Sequence, residues 1–170
     1  MNLESVYLGL GANIGDPVAQ LRRALAEMLR RNLLLEPVRK SSLYRTPPWG
    51  GDTDQPWFIN AAVGGKTSLL PRQLLAGLKA IERDLGRQDE GAQWGPRSID
   101  LDILLYGTKV LKSPDLTIPH PRLVERAFAL LPLVEIAPDL TDPHTGLCYA
   151  HHLAALADDA QAIARIVDVF

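Results

Sequence analysis

Residues 98–105 read Ser-Ile-Asp-Leu-Asp-Ile-Leu-Leu, and this stretch decides the fold of the chain. Apolar residues alternate with Ser98, Asp100 and Asp102, which is the period of a β-strand with one buried face and one solvent-facing face. Both carboxylates therefore project from the same side, with their Cα atoms roughly 6.5–7 Å apart. The stretch predicts a strand that packs on a core with one face and presents a pair of acids on the other.

The paired carboxylates are suited to bind hard cations. Mg²⁺ prefers oxygen ligands and usually takes one or two carboxylates together with substrate phosphates. Arg97 stands just before the strand, where its planar fork of donors could hold a phosphate beside the metal. Two acids at this spacing also occur on ordinary solvated strands, so the rest of the sequence has to decide between the two interpretations.

Composition limits the remaining possibilities. The chain has 170 residues, 46% hydrophobic and 22% charged, which is enough apolar material for one globular domain over residues 1–170. The formal charge of −2 excludes a broad basic surface, so we expect no nucleic-acid partner. No apolar run reaches the ~18 residues of a membrane span and the first residues lack a signal-peptide pattern, so we expect no membrane association and a cytoplasmic location. The single cysteine, Cys148, excludes an internal disulfide.

Hydrophobic periodicity predicts alternating strands and helices. Asp16 and Pro17 supply an N-cap and a first-turn proline for the first helix. The predicted strands are 6–11, 33–44 with a break near Pro37, 58–67, 98–105 and 109–112, the last following a hairpin turn at 106–108; the predicted helices begin at 17 and cover 71–85, 123–131 and 152–157. This order predicts an α+β fold, a ferredoxin-like sandwich whose mostly antiparallel sheet has helices packed on one face.

Residues 9–15 read Gly-Leu-Gly-Ala-Asn-Ile-Gly, between the first strand and the first helix. The third glycine comes one place too late for a dinucleotide-binding fingerprint, and the Gly-Lys-Ser/Thr of a phosphate-binding P-loop does not occur in the sequence. We therefore interpret the segment 9–15 as a tight turn that lets a ligand approach the backbone closely.

The segment 44–56 is long for a simple connection and has prolines near both ends. Trp49 within it is either a packing anchor or a lid over a flat ligand. Just beyond it, Phe58 and Asn60 share one strand face. A stacking ring beside an amide suits a nitrogen heterocycle, although a half-buried aromatic next to a structural amide would give the same pattern.

Six motifs occur in an order that is typical of one family. They are Gly-x-Gly-x-Asn at 9–13, Tyr-Arg-Thr-Pro-Pro at 44–48, Asn-Ala-Ala-Val at 60–63, Ile-Glu at 81–82 with Gly-Arg at 86–87, Trp-Gly-Pro-Arg at 94–97 leading into Asp-Leu-Asp at 100–102, and Ile-Pro-His-Pro at 118–121. Over about residues 6–140 the chain resembles the 6-hydroxymethyl-7,8-dihydropterin pyrophosphokinases of folate biosynthesis.

The resemblance implies transfer of pyrophosphate from ATP to the hydroxymethyl group of the reduced pterin, with release of AMP. It implies two Mg²⁺ ions held by Asp100 and Asp102, and catalytic roles for Arg87, Arg97 and both aspartates. The predicted ATP contacts are Lys79, Glu82, Trp94, Arg97, Ile103, Thr117, His120 and Arg126. The predicted pterin contacts are Gly11, Thr46, Pro47, Trp49, Phe58, Asn60, Asp100 and Phe128.

The chain also departs from the family pattern. Asp89 stands where a second arginine is common, and Lys79 stands where bacterial members commonly have glutamine, so Lys79 is predicted to restore a positive charge near the triphosphate. Two other classes stay open at this point: another Mg²⁺-dependent enzyme that processes phosphates with the aspartate pair, and a noncatalytic module that binds a pterin or a nucleotide. We expect the chain to act as a monomer.

Overall fold

The computed structural model describes residues 2–48, 54–86 and 98–169. The elements are β1 (Glu4–Ala12), α1 (Pro17–Arg30), β2 (Leu35–Lys40), β3 (Ser42–Thr46), β4 (Phe58–Thr67), α2 (Pro71–Asp84), β5 (Asp100–Tyr106), β6 (Leu111–Lys112), β7 (Thr117–Ile118), a 3₁₀ turn (Leu123–Glu125), α3 (Ala127–Ile136), α4 (Tyr149–Ala155), α5 (Ala157–Gln161) and β8 (Ala164–Val169).

The main sheet is antiparallel throughout and has the order β5-β1-β4-β3-β8, with β2 also paired to β4. Within it, β1-α1-β3-β4-α2-β5 is the βαββαβ order of a ferredoxin-like sheet. The predicted fold class is confirmed. The start of α1 is confirmed as well, because the Asp16 carboxylate accepts the Ala19 N–H at 3.0 Å and Pro17 is the first helical residue.

Helices cover both faces of the sheet, whereas the sequence predicted only one covered face. The larger core packs β1 and β5 against α1 and α2, and Leu8, Met28 and Leu78 are fully buried in it. On the opposite face, Ile136 of α3 packs on Ala62 of β4. Residues near the end of α3 bury enough apolar surface for the helix to continue through Pro132, past the predicted end at residue 131.

The break predicted near Pro37 is confirmed as a register shift between Leu35 and Arg39, and a second break separates β2 from β3 at Ser41, whose hydroxyl accepts the Ala62 N–H at 2.9 Å. Three other predicted details of the chain path were wrong. β1 continues through Gly9 and Gly11, so the tight turn predicted over 9–15 is limited to the residues after Ala12. The predicted hairpin at 106–108 does not return along β5, since β6 pairs with β7. The region 152–157, predicted as one helix, contains the end of α4 and the start of α5.

The register between β1 and β5 contains a bulge. Tyr7 pairs with Leu105 and Leu8 pairs with Ile103, so that Leu104 is skipped. The Leu104 carbonyl accepts the His120 N–H at 2.9 Å, which ties the segment after β7 to the strand. Across the described ranges, the helices are too short or too polar to span a membrane.

Candidate active site

The two aspartates lie on the face of β5 that is turned away from α1 and α2. Leu101 and Ile103 alternate with them and are buried in the main core, as the sequence predicted. Asp100 pairs with Gly11 across the ladder and Asp102 pairs with Gly9. Because these partners are glycines, no β1 side chain stands directly opposite either carboxylate.

The amide of Asn60 lies on the other side of Gly11, since Gly11 pairs with both Asp100 and Asn60. A Cβ on Gly11 would come 2.5 Å from the Asn60 Oδ1 atom, so the missing side chain is what gives the amide its place. Asn60 donates through Nδ2 to the Thr46 hydroxyl at 2.7 Å. Phe58, paired with Thr46, shares this face of the sheet. The predicted heterocycle face therefore lies on β4, with only β1 between it and the acids of β5.

Asn13 was predicted only as part of its motif, and no role was predicted for Gln55. The buried Asn13 amide donates to the Gln55 side-chain oxygen at 3.1 Å and to the Pro56 carbonyl at 2.9 Å. These bonds join the end of β1 to the residues just before β4. The asparagine in Gly-x-Gly-x-Asn was a usable signal, but its partner 42 residues away could not be read from local spacing.

Glu82 of α2 reaches the main chain between the two aspartates. Its carboxylate is 2% exposed and accepts the Leu101 N–H at 2.7 Å. Lys79 donates to both Glu82 oxygens, at 2.9 and 3.0 Å. Burial raises the pKa of Glu82, although the charge of Lys79 and the Leu101 N–H favour the ionised form. The two predicted ATP contacts thus form a pair that supports the aspartate strand.

His120 approaches the aspartates from the segment after β7. Its Nε2 atom lies 3.8 Å from an oxygen of Asp102, while its Nδ1 atom accepts the Arg122 N–H at 3.2 Å. Burial and the positive charges of Arg126, Arg122 and Lys79 lower the pKa of His120 to about 4, so the imidazole is neutral near pH 7 with Nε2 as its donor. Burial and the charge of Asp100 raise the pKa of Asp102 to about 6.

The remaining predicted contacts have different positions. Arg126 precedes α3 and stacks over the ring of Phe128 in the first turn, with 5.6 Å from Cζ to the ring centroid. The Ile103 side chain is 3% exposed and belongs to the core, so only its main chain is available to a ligand. Thr117 lies on β7, which packs beside β5, and Pro47 directly follows β3. Trp49, Arg87, Trp94 and Arg97 lie outside the described residues.

The donor set fits a hard divalent cation. Asp100 and Asp102 offer carboxylate oxygens on one strand face, which Mg²⁺ prefers. Within 2–48, 54–86 and 98–169 there is no group of three His, Cys, Asp or Glu side chains able to hold a metal. The aspartate pair therefore suits an ion whose other ligands come from water or from substrate oxygens.

A ferredoxin-like sheet with two acids on one strand and basic side chains nearby is typical of metal-dependent phosphoryl-transfer enzymes. A model of the family described as 7,8-dihydro-6-hydroxymethylpterin-pyrophosphokinase (HPPK) matches residues 7–138. The chain belongs to this family, which confirms the resemblance found in the sequence motifs.

Relatives of two kinds are similar to the chain. The 2-amino-4-hydroxy-6-hydroxymethyldihydropteridine pyrophosphokinase of Methylorubrum extorquens is 52% identical over 134 residues, which cover 79% of this chain and 83% of the relative. The mitochondrial folate synthesis bifunctional protein of Arabidopsis thaliana is 48% identical over 149 residues, 88% of this chain but 26% of the relative. The chain thus spans about a quarter of that bifunctional protein.

Solved structures support the fold independently. A crystal structure of Plasmodium falciparum HPPK-DHPS with pterin and p-hydrobenzoate has a TM-score of 0.75 at 16% identity, covering 97% of this chain and 48% of that one. At this level of identity the match concerns the fold alone. It extends past residue 138, where the family match ends.

Proposed function

We propose that this chain, as an ATP-dependent diphosphokinase, transfers the pyrophosphoryl group of ATP to the hydroxymethyl group of 6-hydroxymethyl-7,8-dihydropterin in folate biosynthesis. The observation that carries the proposal is the row of Asp100, Gly11 and Asn60 across three strands, which sets a candidate metal ligand beside an amide suited to a heterocycle. In the reaction the hydroxyl oxygen attacks the β-phosphorus, the bond to the α–β bridging oxygen breaks, AMP leaves and the hydroxyl proton is released.

Asp100 and Asp102 would hold two Mg²⁺ ions, with Asp100 also close to the pterin hydroxymethyl group. When bound, the ions would neutralise the triphosphate and orient the β-phosphorus for in-line attack. His120 stays neutral and presents its Nε2 proton next to Asp102, where it can donate to a phosphate oxygen without adding a charge that competes with the metal.

The pterin would lie on the sheet face near Asn60. With Nδ2 bonded to Thr46, the amide still has one N–H and its oxygen to read the polar edge of the ring. Phe58 and Phe128 supply the two rings between which a flat heterocycle can stack. Gly11, Pro47 and Trp49 complete the proposed pterin contacts.

The nucleotide would lie along the open edge of β5. The Leu101 N–H points to this edge, where Glu82 accepts it, so the main chain of Ile103, two residues on, faces the same way and can pair with the adenine edge. Lys79 and Arg126 carry positive charge toward the triphosphate. Thr117 and Trp94 remain proposed ATP contacts, and Arg87 and Arg97 remain proposed catalytic residues. We assign Glu82 a supporting role through Leu101, because its carboxylate is buried.

We keep residues 1–170 as one pyrophosphokinase domain, and a monomer as its working state. Support for the domain comes from β8, which pairs with β3 and so brings the residues beyond 138 into the same sheet. Light scattering on the purified chain tests the monomer directly.

The nucleotide product tests the reaction. With ATP, Mg²⁺ and 6-hydroxymethyl-7,8-dihydropterin, we expect AMP to accumulate in step with pterin consumption. Stoichiometric ADP would show ordinary kinase chemistry and would refute the proposal. Phosphate release without any need for pterin would favour another Asp-x-Asp enzyme, and binding without turnover or metal dependence would favour a noncatalytic module.

A further inference from the structure

Glu135 of α3 is the centre of a hydrogen-bonded group on the α3 side of the sheet. Its carboxylate accepts the Ser42 N–H at 2.9 Å, the Ser42 hydroxyl at 2.7 Å, the Tyr44 hydroxyl at 2.8 Å and an Arg165 N–H at 2.9 Å. We call these four residues the Glu135 anchor. Partial burial opposes ionisation, but the bonds from Ser42 and Tyr44 together with the Arg165 charge lower the pKa of Glu135.

The anchor is built on the same helix face as one of the proposed pterin contacts. Phe128 and Glu135 are seven residues apart on α3, which is close to two helical turns, so their side chains project from one face with a rise of roughly 10 Å between them. Both side chains belong to one helix, so a shift of α3 at Glu135 would move the ring of Phe128 as well.

On the sheet side, the anchor holds the strand that carries the other contacts. Tyr44 of β3 pairs with Asn60, and Thr46, two residues later on the same face, bonds the Asn60 amide. β3 pairs with β4 over only three residues, 44–46, and its other neighbour is β8. Because this ladder is short, the position of β3 also depends on its contacts with α3, which packs on this face of the sheet.

We propose that Glu135 is a positioning residue that sets the width of the pterin slot, by fixing Phe128 on α3 relative to Thr46 and Asn60 on the sheet through its bonds to Ser42 and Tyr44. The inference rests on the proposed function. It also gives Arg165, which lies beyond the family match, an indirect part in pterin binding, because Arg165 bonds both Glu135 and the Ser42 hydroxyl, the latter at 2.8 Å.

Glu135→Gln tests the inference with little change of shape. A glutamine amide has one acceptor oxygen and one NH₂ donor, and each Glu135 oxygen accepts one N–H and one hydroxyl. The new nitrogen would therefore face one N–H, from Ser42 or from Arg165, that can only donate, and Arg165 would lose its charged partner. We expect the Kd for 6-hydroxymethyl-7,8-dihydropterin, measured by calorimetry with Mg²⁺ and a nonhydrolysable ATP analogue, to rise about tenfold. The Kd of the analogue itself and kcat at saturating pterin should stay within about twofold of the unmodified chain.

Glu27→Gln is the matched control. Glu27 of α1 accepts three hydrogen bonds from Arg30 and Arg31, and its side chain is 27% exposed against 26% for Glu135. Glu27→Gln should lower the free energy of unfolding without changing the affinity for the pterin. Tyr44→Phe, which removes one bond of the anchor, should raise the pterin Kd by a smaller factor, and it keeps the test decisive if Glu135→Gln fails to fold.

The outcomes separate the two proposals. If the unmodified chain binds the pterin and forms AMP while Glu135→Gln and Tyr44→Phe bind it as tightly, the positioning role is refuted and the proposed function stands. Equal weakening of pterin and nucleotide binding would also refute it, since that result indicates general destabilisation. If the unmodified chain does not bind the pterin, both proposals fail.

Discussion

Glu82 beside the aspartate strand β5 and Glu135 beside β3, the strand of the proposed pterin contact Thr46, hold neighbouring parts of the proposed site in different ways. Glu82 is 2% exposed, accepts the main-chain N–H of Leu101 in β5 and bonds Lys79. Glu135 is partly exposed and accepts bonds from three residues on two strands. Burial dominates the first, so its pKa is raised; hydrogen bonds dominate the second, so its pKa is lowered.

The difference concerns what each carboxylate can tolerate. Loss of a buried acceptor such as the Glu82 carboxylate leaves the Leu101 N–H, a buried donor, unsatisfied. An acid with several donors at the edge of solvent can lose one and keep the rest, or exchange it for water. We therefore expect the metal end of the site to respond sharply to single changes and the pterin end to respond in graded steps.

The largest effect should come from the metal end itself. Asp100→Asn and Asp102→Asn should each lower turnover by several orders of magnitude, because each removes a charged metal ligand. Circular dichroism should show the fold intact, since neither side chain belongs to the hydrophobic core. Asp84→Asn, at a largely exposed carboxylate paired with Arg31, is the control and should be fully active. Full activity in either aspartate variant would refute the metal site.

Glu82 should show the next largest effect. Glu82→Ala leaves the Leu101 N–H without its acceptor between the two aspartates, and loss of such supporting partners typically costs about 10–100-fold in metal affinity or activity. Glu82→Gln keeps an acceptor oxygen and should lose much less. The measurement is the Mg²⁺ concentration for half-maximal activity at saturating ATP. If both variants require the same Mg²⁺ as the unmodified chain, Glu82 does not support the strand.

The two carboxylates should also change the pH dependence of stability in opposite directions. The folded pKa of Glu135 is lowered, so its contribution is present above the unfolded pKa and is lost as pH falls through the folded value. The folded pKa of Glu82 is raised, so its contribution is present below the unfolded pKa and is lost as pH rises through the folded value.

Urea unfolding between about pH 4 and pH 7 measures both contributions. In Glu135→Gln, the free energy of unfolding should decrease less between about pH 7 and pH 4 than it does in the unmodified chain. Glu82→Gln should instead make the free energy of unfolding rise more steeply with pH, because it removes a contribution that decreases as pH rises. Changes of the same sign in the two variants would contradict the comparison.

Lys79 should give the smallest effect. Its ammonium group is 38% exposed, so Lys79→Ala removes a charge near the triphosphate that water already screens in part, and we expect nucleotide affinity to fall by less than about tenfold. Lys79→Gln, which keeps an N–H donor but removes the charge, should give an intermediate value. Calorimetry with an ATP analogue decides this, and an unchanged affinity in Lys79→Ala would leave the idea that it compensates for Asp89 without support.

Periodicity predicted the elements that bury one clear face. The alternation around Asp100 and Asp102 gave β5 and the side on which the acids stand, and strand 58–67 was predicted with the bounds that β4 has. The order of elements was then enough for the ferredoxin-like sheet, because βαββαβ units have few compact arrangements.

Contacts between distant elements could not be predicted in this way. The sequence shows Lys79 and Glu82 three residues apart, but not that Glu82 is buried against Leu101, because burial depends on where α2 packs. Glu135 is a polar residue in a mainly apolar helix. Its four donors come from β3 and β8, at residues that are 93 and 30 positions away in the chain. A resemblance in motifs identifies residues that contact the substrate. It is less informative about the residues that position them.

The glycine at position 11 bears on drug resistance. Few substitutions could prevent the binding of a compound that contacts the Asn60 amide. Any side chain at position 11 would come 2.5 Å from the Asn60 oxygen and push the amide away from Thr46. A substitution there that excludes the compound would also disturb the group that reads the natural ligand. Inhibitors directed at Asn60 over Gly11 should therefore select resistant variants less readily than inhibitors that rely on the exposed side chains around them.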